Sequence, residues 1–344
     1  MANFVDYTLL FIATAIILYI LIRMINKRLA GKKTSTPPFD NTPNSAQMKQ
    51  LASVQQNTKG VAIKNASFPI SQDNSLRNFI IKSSFNSAYT GGYMNMEMIN
   101  YVLKRGCRFL HLQVFIKDNT AIVAYSKDDF EGSFSSNPPA LSLGGVFSTI
   151  NMNAFNQHVP NPNDPLFIHL QIMSTLPNAN SIVAQTIAAG FEDNLYVDPN
   201  TKKAVSIDLN VQLQRLCGKV VILADESRLS MSPSTAPNSA TYMQLADYVN
   251  LFVNKNNVQL YTESQLTMQP INPPNPYVYN FFVVQPNLGL FYEVVNANAD
   301  YLIRNYGSQV ICEAFYRTDS NLTQYENIFN SYQSAFVPIS SYLT

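Results

Sequence analysis

The sequence predicts an α/β domain built on a parallel sheet or barrel, preceded by one membrane-spanning helix. Three observations support this: a charge-free apolar run near the start, a polar stretch after it, and then short apolar segments that alternate with helix-length segments. Such alternation is typical of parallel sheets, in which each strand is joined to the next by a crossover helix. The composition allows a sizeable core, because 46% of the 344 residues are hydrophobic.

The first predicted element is the membrane-spanning helix. Residues 7–22 read YTLLFIATAIILYILI without a charge, and Met24 and Ile25 extend the apolar run past Arg23. A helix needs about 20 apolar residues to cross the hydrocarbon core of a bilayer, and the arginine side chain is long enough to snorkel to the headgroups. We therefore expect residues 7–25 to contact the lipid bilayer.

The charges around this helix predict its orientation. No Lys or Arg precedes it, so the basic start of a cleaved signal peptide is lacking. The basic residues that follow, with no acid among them, are Arg23, Lys27, Arg28, Lys32 and Lys33. The positive-inside rule then places the large C-terminal part on the cytosolic side. The alternative, a buried core helix, is disfavoured by the terminal position and the basic, polar stretch that follows.

The anchor with its basic flank, residues 1–30, is followed by a polar segment. Residues 31–75 are rich in Thr, Ser, Pro, Asn and Gln, a composition that buries little apolar surface. We predict a flexible linker there and one globular domain over residues 76–344.

Charge and cysteine content exclude several classes of protein. The formal net charge is +1 and only 13% of residues are charged, whereas nucleic-acid binders carry a basic excess that neutralises phosphates. No nucleic-acid partner is therefore expected. Cys107, Cys217 and Cys312 are odd in number and widely spaced, so neither a disulfide framework nor a zinc site follows. We interpret them as buried thiols in a reducing compartment.

The globular part alternates between strand-like and helix-like segments. The candidate strands are 108–116, 120–125, 166–172, 219–223, 277–284 and 309–315. The candidate helices are 95–104, 140–156, 181–190 and 323–332. Residues 231–240 and 270–276 are rich in Pro and Asn and are predicted loops.

Several of these segments resemble, in order, motifs of the X domain of phosphatidylinositol-specific phospholipase C. Residues 83–89 (SSFNSAY) resemble the opening SSHNTY, and residues 105–113 (RGCRFLHLQ) resemble the strand RGCRxxELD. Further similar segments are 121–126 (AIVAYS, for a strand that ends in YHG), 165–171 (PLFIHLQ, for PxILSLE), 216–220 (LCGKV, for LxGKx) and 325–340 (for the closing region). The resemblance covers residues 76–344 and implies a distorted TIM-type (β/α)8 barrel with its site at the C-terminal ends of the strands.

The resemblance also implies a catalytic site, most of whose residues are replaced here. Family enzymes use two histidines as general base and acid, and carboxylates that hold Ca²⁺. The first histidine position is Phe85 and the second is Ser126, while Asn86 keeps the amide that serves as a calcium ligand. The carboxylate positions hold His111, Gln113 and Gln171.

The positions of the phosphate-binding cations are also changed. The two lysine positions fall on Leu223 and Asp225, and the arginine position falls near Leu266. General acid and base groups contribute ~10²–10⁴-fold each, and cations stabilise the charge of the transition state. Their joint loss predicts a pseudoenzyme with no catalytic residue, no cofactor and no metal site.

Two histidines raise the alternative of a metal site built from residues other than the family's ligands. His111 and His169 lie on candidate strands, each two residues before a glutamine, and can face each other in the barrel. Two imidazoles without carboxylates make a poor metal site. We favour hydrogen-bonded polar residues that occupy a former catalytic pocket.

The function that the sequence favours is structural. We predict a membrane-anchored, catalytically inactive phospholipase C-like protein whose partners are the bilayer and other structural or capsid proteins. Its asparagine content, which exceeds that of Lys and Arg together, suggests a large DNA virus, in which it would be a minor capsid or virion membrane protein. The alternatives are a module that binds a lipid headgroup or a protein, and a residual phosphodiesterase with a relocated site.

Overall fold

A computed structural model of the chain describes residues 45–56, 60–125, 140–191, 194–230, 242–270, 280–288 and 294–344. The predicted membrane segment 7–25 lies outside these ranges, as does the first part of the predicted linker. Within the described ranges, no helix is both long enough and apolar enough to cross a membrane.

The domain is organised around a barrel of parallel strands. In chain order the strands are β1 (Phe79–Ser84), β2 (Phe109–Lys117), β3 (Thr120–Val123), β4 (Leu141–Ser142), β5 (Leu166–Ile172), β6 (Val220–Asp225), β7 (Leu251–Val253), β8 (Val258–Thr262), β9 (Phe281–Gln285), β10 (Asn287–Leu288), β11 (Val294–Val295), β12 (Val310–Glu313) and β13 (Phe336–Pro338). Eight of them pair in the order β7-β6-β5-β2-β1-β12-β9-β8, all in parallel. Among the described residues no backbone ladder joins β7 to β8, so the barrel is nearly closed. The predicted TIM-type barrel is confirmed.

Helices surround the barrel and cover its strands. They are α1 (Ser45–Gln56), α2 (Met96–Lys104), α3 (Leu143–Asn153), α4 (Ala179–Gly190), α5 (Ser227–Ser230), α6 (Glu263–Thr267), α7 (Ala299–Tyr306), α8 (Ser320–Tyr332) and α9 (Ile339–Leu343). Because helices cover the outside while side chains occupy the inside, barrel strands are apolar on both faces. Every residue of β1 is buried for this reason.

Helix α2 shows how the local sequence sets these elements. The Asn95 side chain caps its start by accepting a hydrogen bond from the backbone N–H of Glu97 at 2.7 Å. Its buried residues, spaced to form one face, are Met98, Ile99, Val102 and Leu103. Asn95 thus fixes where the chain leaves the loop after β1, the loop that carries Phe85 and Asn86.

The predicted strand at 120–125 has a different role from the one expected. It forms β3, which pairs antiparallel with β2 and lies off the barrel path. The two-residue turn between β2 and β3 is Asp118-Asn119, and both residues have positive φ values, 49° and 58°. Such a turn joins adjacent antiparallel strands and leaves no room for a crossover helix, so this segment extends β2 as a hairpin beyond the barrel.

Part of the predicted linker is packed against the barrel. Residues 60–76, the strap, cross the N-terminal end of the barrel. The Lys64 N–H donates to the Gln333 carbonyl at 2.9 Å, and the Ala66 N–H donates to Asp164 Oδ1 at 2.7 Å. Further upstream, Val54 of α1 is also buried. The flexible linker predicted over 31–75 is therefore corrected for residues 60–75, because isolated apolar residues and backbone hydrogen bonds order a segment whose composition is polar.

Two of the three cysteines follow the expectation from the sequence. Cys107 and Cys312 are buried, whereas Cys217 is exposed, and all three are free thiols. Burial raises the pKa of Cys107 to about 12, which makes its thiol a poor nucleophile at neutral pH.

Candidate functional site

The candidate site lies at the mouth of the barrel, the end where the parallel strands finish. Phe85 and Asn86 directly follow β1, and Gln113 lies midway along β2, just before the part of that strand that pairs with β3. In the ladder between β2 and β5, His111 is opposite His169 and Gln113 is opposite Gln171. The structure thus brings together all the predicted site residues except Ser126, which lies outside the described residues.

His111 is the centre of this cluster and is held in its neutral form. Its Nδ1 accepts a hydrogen bond from the backbone N–H of Asn86 at 3.3 Å, which places the ring proton on Nε2. Nε2 lies 3.1 Å from Gln171 Oε1 and 3.0 Å from the side-chain amide nitrogen of Gln285. Complete burial, with a smaller effect of His169, lowers the pKa of His111 well below its usual value.

Phe85 covers one face of this imidazole. The two ring centroids are 4.8 Å apart and the ring planes are 10° from parallel. Phe85 therefore occupies the space beside His111 in the position where family enzymes have their first histidine. A phenyl ring neither accepts nor donates a proton, so this position provides no general base.

His169 is paired with a carboxylate that the motif alignment assigned to a lysine position. Its ring centroid lies 5.3 Å from that of His111, and its Nε2 lies 3.5 Å from Asp225 Oδ1, where β6 ends. The carboxylates of the site are therefore not all lost, which corrects the expectation of a pocket without acidic groups. The chain has a buried histidine with an acid beside it, although not at the positions where the family has its histidines and carboxylates.

Glu313 is the functional candidate that the sequence analysis missed. It is fully buried at the end of β12, and the Phe85 N–H donates to its backbone carbonyl at 2.8 Å. The Ala297 N–H lies near its carboxylate outside hydrogen-bond geometry, and within the described residues neither side-chain oxygen has a hydrogen-bond partner. Burial, then the negative charges of Asp319 and Glu263, raise the pKa of Glu313 well above its usual value.

A signal for Glu313 is present in the sequence. The segment 309–315 (QVICEAF) is a predicted strand with one acid among apolar residues, near its C-terminal end. In a parallel barrel, an acidic residue at that end of a strand lies at the site. The motifs did not include it, which is why comparison with the family alone passed over it.

Three tyrosines form a cluster of rings beside the loop that carries Asn86. The Tyr89 ring lies 4.6 Å from that of Tyr125 and 4.9 Å from that of Tyr316. The Tyr89 N–H donates to the Asn86 carbonyl at 2.7 Å, which ties the rings to the loop after β1. Burial, with a smaller effect of Tyr125, raises the pKa of Tyr89 to about 12, so its hydroxyl stays protonated.

The described lysine and arginine side chains do not contact the central polar residues of the mouth. In the described ranges, no hydrogen bond or ion pair of His111, Asp225 or Glu313 involves a lysine or arginine. Lys82 is buried against the carbonyl of Arg105 and the carboxylate of Glu326 instead. Asp225 and Glu313 therefore have no described lysine or arginine in contact with them, whereas Asp319, whose charge acts on Glu313, pairs with Arg317 at 3.3 Å.

The remaining residues do not suit the Ca²⁺ that the fold family implies. Calcium takes six to eight oxygen ligands, most of them from carboxylates. Of the expected positions, Asn86 offers an amide oxygen, His111 offers none, and the Gln171 oxygen is engaged by His111. Across the described part of the chain, no three His, Cys, Asp or Glu side chains are grouped to hold a metal. We derive no chemistry through a calcium ion.

The barrel and the place of this cluster at its C-terminal mouth define a phospholipase C-like domain. The family model described as phosphatidylinositol-specific phospholipase C, X domain, matches residues 72–226. Over that stretch the resemblance read from the sequence is confirmed.

Solved structures with the same fold are phospholipases. A crystal structure of PLC21 from L. pealei shares 16% sequence identity with a TM-score of 0.59, over 83% of this chain and 39% of that one. PLC21 from S. officinalis shares 15% with a TM-score of 0.60, over 84% and 40%. The chain thus spans about two fifths of the length of either protein, and at these identities the likeness concerns the fold. Among curated protein sequences, none matches the chain.

Proposed function

We propose that this chain is a catalytically inactive phospholipase C-like protein with a structural role, anchored in a membrane by residues 7–25. The observation that carries the proposal is the parallel stack of Phe85 on His111, 4.8 Å apart, at the position of the family's first catalytic histidine. Loss of a general base removes about 10²–10⁴-fold of rate. The buried, neutral His111 does not replace it, because Nδ1 and Nε2 both have hydrogen-bond partners.

The charge of the mouth supports the same conclusion. Cleavage of a phosphodiester needs cations near the phosphate to stabilise the developing negative charge. Glu313 and Asp225 place acidic groups in the mouth instead, and Leu223 and Leu266 put apolar side chains at two positions where the family has cations. A phosphate there would lie near the Asp225 carboxylate, and no described lysine or arginine contacts His111, Asp225 or Glu313, which raises the cost of binding it.

The proposed role is that of a minor capsid or virion membrane protein that connects a membrane to a shell on its cytosolic side. The predicted N-terminal anchor, the asparagine-rich composition and the loss of catalytic groups support it. Its partners are then the bilayer and structural proteins of the shell.

The enzymatic part of this proposal is tested by phosphatidylinositol cleavage with the full chain in detergent, with and without Ca²⁺. We expect product formation equal to that of a heat-inactivated sample under both conditions. Turnover above that control, abolished by His169→Asn and unaffected by the matched surface change His158→Asn, would overturn it.

The structural part is tested by isolating virions or membranes that contain the chain. Stoichiometric co-purification with shell proteins is expected, and recovery in membranes without them contradicts the role.

One observation favours a second candidate, a phosphodiesterase with a relocated site. His169 Nε2 lies 3.5 Å from Asp225 Oδ1, which places an acid beside a buried histidine, although the two atoms are not hydrogen-bonded. The same turnover assay decides between the two, because only the second candidate loses activity on His169→Asn.

A further inference from the structure

The described residues distribute surface charge unevenly between the two ends of the barrel. The connections that enter the strands at the N-terminal end carry seven Lys or Arg side chains that are not buried, against four Asp side chains. The connections at the mouth carry three such Lys or Arg against five Asp or Glu. The connections at the N-terminal end are residues 60–78, 104–108, 154–165, 194–219 and 245–250, and the charged ones at the mouth are 117–119, 225–228, 254–257, 263 and 314–319. Over the described ranges, the N-terminal end is therefore the more positive of the two.

Several of these cations keep their charge exposed to solvent. Lys64 Nζ donates to the uncharged Gln333 Oε1 at 2.9 Å. Lys202 and Arg215 are exposed, and in the described part of the chain neither forms an ion pair. Lys203 differs, since it pairs with Asp247 at 3.0 Å. The unpaired charges can attract a negatively charged surface from outside the domain.

The strap adds a fixed apolar side chain at the same end. Ile70 is 92% exposed, in a turn whose Pro69 carbonyl accepts hydrogen bonds from the Gln72 N–H at 3.0 Å and from the Asn74 side-chain amide at 2.7 Å. Asn74 is buried, and its N–H donates to Gln212 Oε1 at 3.1 Å, which joins this turn to the connection that carries Arg215. A single exposed isoleucine is ordinary, but apolar and basic groups together are what bind a protein to the surface of an anionic bilayer.

The tether to the proposed anchor does not by itself choose which end of the barrel faces the membrane. Residues 26–44 could span about 60 Å if fully extended, which is enough for either end to reach the lipid. The cytosolic surface of a membrane is negative, so it attracts the N-terminal end and repels the mouth. Because a tether keeps the bilayer at high effective concentration, a weak attraction is sufficient to set the orientation.

We infer that the N-terminal end of the barrel lies on an anionic bilayer surface, with Ile70 at the contact and Lys202 and Arg215 near the lipid headgroups, so that the mouth points away from the membrane. The inference rests on the proposed anchor, which brings the bilayer within reach. It agrees with the proposed lack of lipid cleavage, because a mouth in this orientation does not reach the headgroups of that membrane.

The test is energy transfer from a dye on the full chain to headgroup-labelled lipid in vesicles. Cys217 is an exposed thiol in the connection before β6, whereas Cys107 and Cys312 are buried, so a maleimide dye marks the N-terminal end. The matched probe at the mouth is Thr120→Cys with Cys217→Ser, in the exposed hairpin of β2 and β3. In phosphatidylcholine vesicles with about one third phosphatidylserine, we expect about twofold more transfer from Cys217 than from the mouth probe. In pure phosphatidylcholine the difference should shrink.

Matched variants separate the two contributions. Lys202→Glu should lower the transfer from Cys217 in the anionic vesicles, whereas Lys117→Glu, the same change at the mouth, should not. Ile70→Ser should also lower it, and Leu176→Ser, at a partly exposed position after β5, should not. Thermal unfolding of each variant shows whether it is folded.

Equal or greater transfer from the mouth probe in anionic vesicles overturns the inference, as does a difference that is the same in neutral vesicles. The anchor is tested separately, by whether the chain stays with the vesicles in alkaline carbonate. A chain that is extracted, but shows higher Cys217 transfer when it rebinds anionic vesicles, contradicts the anchor and supports the orientation. A chain that stays with its mouth near the lipid contradicts the orientation alone, and one that binds no vesicles contradicts both.

Discussion

Phe85 lies flat against His111, with ring centroids 4.8 Å apart and ring planes 10° from parallel. This contact joins the loop after β1 to β2 and closes one side of the imidazole. It makes an aromatic stack out of two positions that the resemblance assigns to a general base and a calcium ligand. At these two positions the side chains pack against each other.

Restoring the histidine alone should therefore leave the protein inactive. We expect Phe85→His to give no phosphatidylinositol cleavage above a heat-inactivated control, with or without Ca²⁺, because no described lysine or arginine contacts His111, Asp225 or Glu313 to help hold the phosphate. Product release is measured over hours at high enzyme concentration. Clear turnover by this single variant would mean that the rest of the mouth had kept its catalytic competence.

His111 should make the protein less stable in acid. Its pKa in the folded state lies well below the usual value, near 6.5 in the unfolded chain, so the unfolded state binds the extra proton first. Unfolding free energy should fall as pH drops below about 6.5, by up to about 1.4 kcal/mol per pH unit. The groups facing the ring are neutral amides, Phe85 and His169.

Denaturant unfolding at pH 7.5 and pH 5.5 measures this. His111→Asn should show a shallower loss than the parent, whereas His158→Asn, at an exposed position, should follow the parent. Parallel curves for all three proteins would show that His111 is charged in the folded state.

Glu313 should act on stability with the opposite sign. Its folded-state pKa is raised well above the usual value, about 4.3 in the unfolded chain, so the folded state binds the extra proton. Stability should then fall as pH rises from about 4.3 towards the folded-state pKa. Glu313→Gln removes this dependence and should be more stable than the parent at pH 8, with little difference at pH 4. A loss of stability at pH 8 in this variant is the result that contradicts it.

Replacing Gly106 should lower the unfolding free energy for two separable reasons, its backbone conformation and the lack of space for a side chain. It has a φ of +82°, and an added Cβ would lie 2.7 Å from Ile63 Cδ1 in the strap. Gly218 has a φ of +68° but open space around it. The left-handed conformation alone costs about 1–2 kcal/mol for a side chain, so Gly218→Ala should lose about that much. Gly106→Ala should lose clearly more by denaturant unfolding, and equal losses would mean that the strap moves aside freely.

Glu326 should stabilise the fold because its carboxylate pairs with two buried cations, Lys82 and Arg105. Its carboxylate lies 3.4 Å from Lys82 Nζ and 2.6 Å from an Arg105 guanidinium nitrogen. Removing one partner of a buried ion pair leaves uncompensated charge, so Glu326→Gln should cost about 3 kcal/mol of unfolding free energy. Lys203→Gln breaks the exposed pair with Asp247 and should cost less than about 1 kcal/mol. Similar losses for both variants would show that solvent screens Lys82.

Much of the barrel is predictable because its strands have strong local signals. The repeated HLQ of 111–113 and 169–171 predicted two facing strands, and their residues are indeed paired in register. Strands β7 and β8 were missed because they are short, at Leu251–Val253 and Val258–Thr262, and joined by a tight turn rich in asparagine. Their existence depends on tertiary pairing with β6 and β9 more than on their own composition.

The motifs placed several residues of the candidate site, but they did not indicate the contacts between distant strands. Phe85, Asn86 and His111 could be placed from motifs, because motifs mark positions along the chain. Glu313 and the pairing of His169 with Asp225 depend on which strand ends meet in space, and that is set by barrel closure. Sequence spacing carries little information about such contacts between distant strands.

The strap contacts only one of the two ends of the barrel. At residue 60 the chain reaches the barrel at the pole opposite the mouth, and hydrogen bonds of Lys64 and Ala66 hold it there. A force on the segment before the strap would act on that end of the barrel first. If the proposed anchor holds the upstream segment, its pull reaches the domain at the end opposite the candidate site.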